Sequence, residues 1–232
     1  MFLVFKNKFN IILSYTLIFT LLFVCNGLLS TRVVATSPSD KFSVVIDAGH
    51  GGIDTGCTGI SGSHESDLCL SIALKLQSYL NALGITVTQT RTNSDGLYGT
   101  FASGFKLRDL ESRAQIIRSA NPNLLISIHM NSFTQSSSRG AQVFYAPNSD
   151  VSHEFADKMQ KLFVSHLPNA RSSALLGDYY ILKCTNTPGI LIECGFLSNP
   201  EEEKLLISTE YQNKLAYTIT CGVLEYFDLT EF

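Results

Sequence analysis

Residues 44–52 read V-V-I-D-A-G-H-G-G and restrict the fold more than any other stretch of the chain. The β-branched run Val44, Val45, Ile46 predicts a buried strand. Gly49, Gly51 and Gly52 supply the backbone freedom that a tight loop at its end requires. His50 is therefore expected at the carboxyl end of a strand, where the loops of an open α/β sheet gather around one crevice. The question for the remaining polar residues is which of them reach the same edge.

Downstream, Leu68, Ile72, Leu76, Leu80 and Leu83 recur at helical spacing over residues 66–83, and Gly84 ends the pattern. Residues 85–90 follow as a strand, giving a β-helix-β unit whose crossover makes the two strands parallel. The polar segment 92–106 is long for a connection and is expected to be mobile or to form the rim of a substrate groove. Residues 107–120 read as a second helix with Leu107, Leu110, Ala114 and Ile117 on one face, closed by Asn121 and Pro122. The strand L-L-I-S-I at 124–128 runs into His129, repeating the first pattern. A strand at 141–145, a helix at 151–167, a short strand or extended piece at 179–182 and a strand at 189–192 ending in Glu193 come next. A short helix at 200–207 carries Glu201, Glu202 and Glu203 in its first turn, where the helix dipole favours acids. A last helix covers 209–227. This is the order of elements of one α/β domain, with no internal repeat.

The first 35 residues stand apart from that domain. Lys6 and Lys8 precede an uncharged apolar stretch over 9–31, the pattern of a signal peptide or a signal anchor. Val33 and Ala35 suit cleavage after Ala35, while a length near the ~20 residues that span a bilayer suits retention as an anchor. Val24 disfavours a lipoprotein signal at Cys25. Residues 36–40 then read as a linker into a domain over 41–232. A net charge of −3 without a basic cluster argues against a nucleic-acid surface. Beyond the leader, Cys57, Cys69, Cys184, Cys194 and Cys221 are odd in number and describe no disulfide framework.

Three apolar strands thus carry His50, His129 and Glu193 to their ends, and the first helix begins near Glu65. Two imidazoles and one carboxylate are the donor set of a catalytic zinc site, with a further acid free to take a proton from water. An acid after I-L-I and before C-G-F is costly to bury unless it faces a cation or works as a base. Metal-assisted hydrolysis is the reading these residues favour.

The segments IDAGHGGIDTG, HESDL, TRT, SRAQIIRSANPNLLISIHMNS and TPGILIECGFLSN, in this order, resemble the zinc-dependent N-acetylmuramoyl-L-alanine amidases, which cleave bacterial peptidoglycan. The resemblance runs over residues 41–227. It implies a single α/β domain with a twisted, mostly parallel sheet. It also implies a metal held by His50, Glu65 and His129, with Glu193 as the catalytic glutamate. The bond cut would be the amide between the lactyl group of muramic acid and L-alanine. Ala48 stands where many relatives have proline, and Cys57 where a small residue is usual. His64, beside Glu65, is a rival ligand, disfavoured because adjacent helical residues do not face the same way. Arg113 and Asn121 match family positions and are expected to pack helix and loop. The short exported chain with its single leader looks like the germination-specific amidases of spore formers, which act with a deacetylase to make the muramic δ-lactam of the cortex. The expected setting is the cell wall or spore cortex, with membrane contact only through an uncleaved leader.

Two other readings compete with this one. Cys194 could serve as the nucleophile of a cysteine wall hydrolase, or the domain could bind wall without turnover. Arg171, Lys183 and Asn186 are surface candidates for glycan or peptide contact. A protein partner would be sought on the 92–106 loop.

Overall fold

In the computed structural model, residues 39–147 and 149–229 are described. The expected leader over 1–35, the first three residues of the linker and the last three residues of the chain lie outside them. Near-continuous apolar runs, buried on both faces, build the sheet. β1 (Ser39–Ala48) pairs in parallel with β2 (Ile85–Gln89) on one side and β3 (Leu124–Asn131) on the other. β3 pairs in parallel with β6 (Gly189–Phe196). β4 (Gln142–Tyr145) runs antiparallel to β6 and carries the two-residue β5 (Leu175–Leu176) on its far edge. The order across the sheet is β2-β1-β3-β6-β4-β5, a mostly parallel sheet.

Helices α1 (Glu65–Ala82), α3 (Asp150–His166) and α6 (Thr209–Tyr226) pack together on one face. They bury Leu68, Ile72, Leu76 and Leu80, then Phe155, Met159 and Phe163, against Val44, Ile46, Ile126, Ile128, Ile190 and Ile192. The other face is covered by α2 (Phe105–Ala120) and the single turn α4 (Tyr180–Lys183), over a smaller cluster of Val45, Leu125, Leu191, Ile117, Ile181 and Leu182. α5 (Pro200–Leu206) packs on β6 and α6. Among the described residues no helix is long and apolar enough to cross a membrane.

Several expectations are corrected. Residues 180–183 form a helical turn, not a strand; a four-residue apolar run does not distinguish the two, and here Ile181 and Leu182 fill the gap beneath α2. β1 starts at Ser39, within the stretch read as linker. Leu107 is 55% exposed; Ala114 and Ile117 are buried as expected, and Arg113 joins them on the buried face of α2. Leu83 caps α1 and is exposed. The five cysteines of the domain are free thiols.

The polar loop before α2 is knitted rather than loose. Arg108 donates to the carbonyls of Tyr98, Thr100, Ala102 and Ser103, and the Tyr98 hydroxyl accepts from Ile53 N at 3.0 Å. The acids of α5 do more than meet a dipole. Glu202 accepts from Gly140 N and Phe196 N, and Glu203 accepts from Ser61 and Ser63, tying α5 to the loop that leads into α1.

Candidate metal and catalytic site

The register of β3 and β6 sets His129 beside Glu193, because these residues are directly paired in the ladder. β1 ends one position short of Gly49, and the chain turns at once through His50, whose φ of 58° lies in the left-handed region that non-glycine residues seldom occupy. α1 opens with Glu65, 4% exposed. The His50 Nε2 and His129 Nδ1 atoms lie 3.2 and 3.0 Å from the same oxygen, Glu65 Oε1. The ligand atoms of the three side chains fall within 4.8 Å of one another. His64 is not in this cluster; it sits at the start of α1 with its ring 3.4 Å from the Thr58 hydroxyl.

Glycines make the room. A methyl group at Gly49 would run into the His129 ring, and one at Gly56 would meet both Glu65 and His50. The Glu65 carboxylate is further fixed by Met130 N, which donates to Oε1 at 3.0 Å, and by Cys57 N, which donates to Oε2 at 2.8 Å. Burial alone would raise its pKa, but hydrogen bonds from His129 and His50 overcome that and hold it well below the usual carboxylate range. The His50 imidazole is pulled the other way. Burial disfavours its charge, yet the Glu65 and Asp54 carboxylates raise its pKa. An ionised carboxylate and two imidazoles converging on one point are a donor set suited to a divalent transition metal.

Glu193 is buried like Glu65 but lacks its partners. It is 8% exposed, and its Oε2 atom is buried without a hydrogen-bond partner. Burial lifts its pKa to about 7; nearby His129 opposes the shift and Glu65 adds to it. A carboxyl poised near neutrality with a bare oxygen suits proton transfer.

Two buried arginines frame the loop that carries His50. Arg113 donates from Nη1 to Asp47 Oδ1 (2.8 Å) and Ala48 O (2.6 Å), from Nη2 to His50 O (2.5 Å), and from Nε to Asp109 (2.6 Å). Arg91 donates to Ala48 O, Gly49 O and Ser66 O. Asp47 accepts from Thr90 and Ser127 as well. Burial would raise its pKa, but the Arg113 guanidinium, the nearby His129 and the Ser127 hydroxyl hold it at about 2. Arg113, expected to pack helix and loop, makes three bonds to the loop that carries His50 and to the end of β1, and one to Asp109 within its own helix. Arg91 was visible only as part of the TRT segment.

A cavity of about 300 Å³ opens beside the cluster, lined by His50, Asp54, Lys106, Leu110, His129 and Tyr179 among others. Lys183 and Asn186 line a different cleft, of about 640 Å³, at the amino ends of β3 and β6. Arg171 lies over the Phe196 ring, 5.3 Å from its centre. Cys194 points to the opposite side of the sheet from Glu193, is fully buried, and has its thiol pKa raised by burial and by Glu193. It is an inert core residue, not a nucleophile.

The defining pattern of the N-acetylmuramoyl-L-alanine amidases matches residues 44–225, most of the chain. The chain belongs to this family. The amidase is 35% identical to the germination-specific N-acetylmuramoyl-L-alanine amidase of Bacillus subtilis, over 79% of each chain. It is 30% identical to the amidase AmiA of Escherichia coli, over 83% of this chain and 78% of that one. Among solved structures, the CwlD amidase of Clostridioides difficile, described in complex with the GerS lipoprotein, superimposes with a TM-score of 0.77 at 35% identity. That match covers 81% of this chain and 99% of the other. The catalytic domain of CwlV from Paenibacillus polymyxa gives a TM-score of 0.71 at 33% identity, covering 82% of this chain and 99% of that domain.

Proposed function

We propose that this amidase is a zinc enzyme in which His50, Glu65 and His129 hold the metal and Glu193 moves the proton. The observation that carries the reading is the convergence of two imidazole nitrogens on Glu65 Oε1, at 3.2 and 3.0 Å, next to a buried glutamate with one bare oxygen. A zinc ion held there supplies Lewis-acid polarisation of a carbonyl and a lowered pKa for water. Glu193, as carboxylate, accepts a proton from the attacking water at Oε2. It then delivers that proton to the departing alanine nitrogen, which leaves as an amine because an amide anion is a poor leaving group. Burial of Glu193 keeps bulk water from competing for the proton, and a cation on the neighbouring ligands would draw its pKa below the metal-free value. The hydrolysis balances: water adds across the lactyl–alanine amide to give a lactyl carboxylate and a free L-alanine amino terminus.

The substrate we infer is the muramyl peptide of peptidoglycan, and within it the spore cortex, in line with the germination-specific relative. Such a substrate lies outside the cytoplasmic membrane, which agrees with the leader read over residues 1–35. The solved relative described with a lipoprotein supports a search for a protein partner, beginning at the rim loop before α2. A wall-binding role without turnover is disfavoured by the presence of all four chemical groups in one site.

Digestion of purified cortex and vegetative peptidoglycan by residues 36–232 tests the reading. After chelation and after zinc is restored, fragments are read by mass spectrometry. We expect new L-alanine amino termini and intact lactyl groups, lost on chelation and regained with zinc. Cleavage indifferent to chelation, or no cleavage with zinc bound, would overturn it.

A further inference from the structure

The loop between His50 and Asp54 closes on itself. Gly51 N donates to Asp54 O at 2.8 Å, and Asp54 N donates back to Gly51 O at 3.2 Å. The closure returns the Asp54 side chain to the ring of His50, with Oδ2 2.9 Å from Nδ1. The second oxygen of Asp54 is also occupied. Lys106, in the first turn of α2, places its ammonium 3.1 Å from Oδ1. Asp54 and Lys106 both line the cavity beside the cluster, and Asp54 is only 21% exposed.

We propose that Asp54 is a positioning residue for metal binding, acting through His50. With Lys106 holding one carboxylate oxygen, the other fixes the His50 proton on Nδ1 and the ring plane in one orientation, which leaves the Nε2 lone pair facing Glu65. An imidazole ligand needs its tautomer set by what its second nitrogen donates to, and an outer carboxylate also makes the ring a better donor. The two histidines differ in this respect. Among the described residues, the carboxylate bonded to the His129 ring is Glu65 itself, whereas His50 has Glu65 on one nitrogen and Asp54 on the other. His50 also has more to be fixed, because it sits on a glycine-flanked turn with a left-handed backbone. Arg113 holds its carbonyl and Asp54 holds its ring, so backbone and side chain are secured separately.

The inference rests on the proposed metal reading, and the test separates the two. Metal-free wild type, Asp54→Ala and Asp54→Asn are titrated with zinc against a competing chelator, with the melting temperature of each metal-free protein as the control for folding. Loss of the carboxylate in Asp54→Ala should weaken zinc binding by about 10- to 100-fold, the range for outer-shell partners. Asp54→Asn keeps an oxygen able to accept from Nδ1–H and should recover part of that loss. Equal zinc affinity in all three folded proteins would overturn the role of Asp54 while leaving the metal site standing. No zinc binding by wild type would instead overturn the metal reading. If Asp54→Ala does not fold, Asp54→Asn decides alone: weaker zinc binding than wild type, up to the roughly 10- to 100-fold of an outer-shell change, supports the proposal, and wild-type affinity overturns it.

Discussion

Beneath α1, α3 and α6 the sheet presents Val44, Ile46, Ala48, Leu124, Ile126, Ile128, Ile190, Ile192 and Cys194, none more than 1% exposed. On the other side, the alternate residues of the same strands are apolar only at Val45, Leu125 and Leu191. Beyond that level stand Asp47 and Ser127, then His129 and Glu193 in the carboxyl-terminal halves of strands that run on to Asn131 and Phe196, past the ends the sequence suggested. Because successive side chains of a strand point to opposite faces, one run such as I-L-I-E-C serves both sides. Ile190, Ile192 and Cys194 go to the core, while Leu191 and Glu193 go to the thinner layer. One face stores stability, and the other spends part of it to hold charges near the surface.

Breaking the polar face at the proposed ligands should have the largest effect. His50→Ala and His129→Ala each remove a donor from the cluster and should weaken zinc binding by more than the roughly 10- to 100-fold of an outer-shell change, while leaving the fold intact. Zinc titration of the purified variants checks the first half of that statement, and the melting temperature of the metal-free proteins checks the second. Next comes the frame. Arg113→Ala would leave Asp47 buried without its cation and release the carbonyl of His50. Removal of one partner from a buried pair costs about 3–5 kcal/mol, so denaturant unfolding should show a large loss together with weakened zinc binding.

The apolar face should respond differently. Ile126→Ala, in the middle of the sheet and fully buried, is expected to destabilise by about 2–5 kcal/mol and to leave the zinc affinity of the folded fraction unchanged. Equal damage to metal binding would mean that the two faces are not separable. The smallest effect is the pH dependence of stability from Asp47. Its folded pKa of about 2 lies below its ordinary value of 3.8. Its contribution is therefore fully present above pH 4 and is lost as pH falls toward 2, on the order of 2 kcal/mol. Acid unfolding of wild type against Asp47→Asn reads this difference, which should vanish at the acid end.

Much of the division was legible in the sequence. Apolar runs leading into His50, His129 and Glu193 announce the carboxyl half of the sheet, and a first helix opening at Glu65 brings a fourth group to it. Less of the support was visible, because its bonds join residues far apart in the chain. Arg113 reaches Asp47 across 66 positions, and Glu203 reaches Ser61 across 142. Local periodicity reports which face of a helix is apolar, so it proposed Leu107 for the α2 interface and gave no sign that a guanidinium fills that face. The turn at residues 180–183 was missed for a related reason: its geometry is set by the space under α2, not by its own four residues. Asp54 lay within a recognised motif, yet its tie to His50 depends on a loop closure that spacing alone does not reveal.

The most direct test of the division of labour is Glu193→Gln. Zinc content and metal-free melting temperature would be measured alongside peptidoglycan digestion. Glutamine keeps the shape and cannot accept the proton, so turnover should fall by about 10²–10⁴-fold with zinc still bound. The raised pKa of Glu193 means that its ionisation works against folding as pH climbs from the ordinary carboxylate range through about 7. The metal-free variant should therefore melt higher than wild type at pH 8. Digestion at a near wild-type rate, or loss of zinc together with activity, would contradict the assignment of Glu193 as the proton carrier beside an independent metal site.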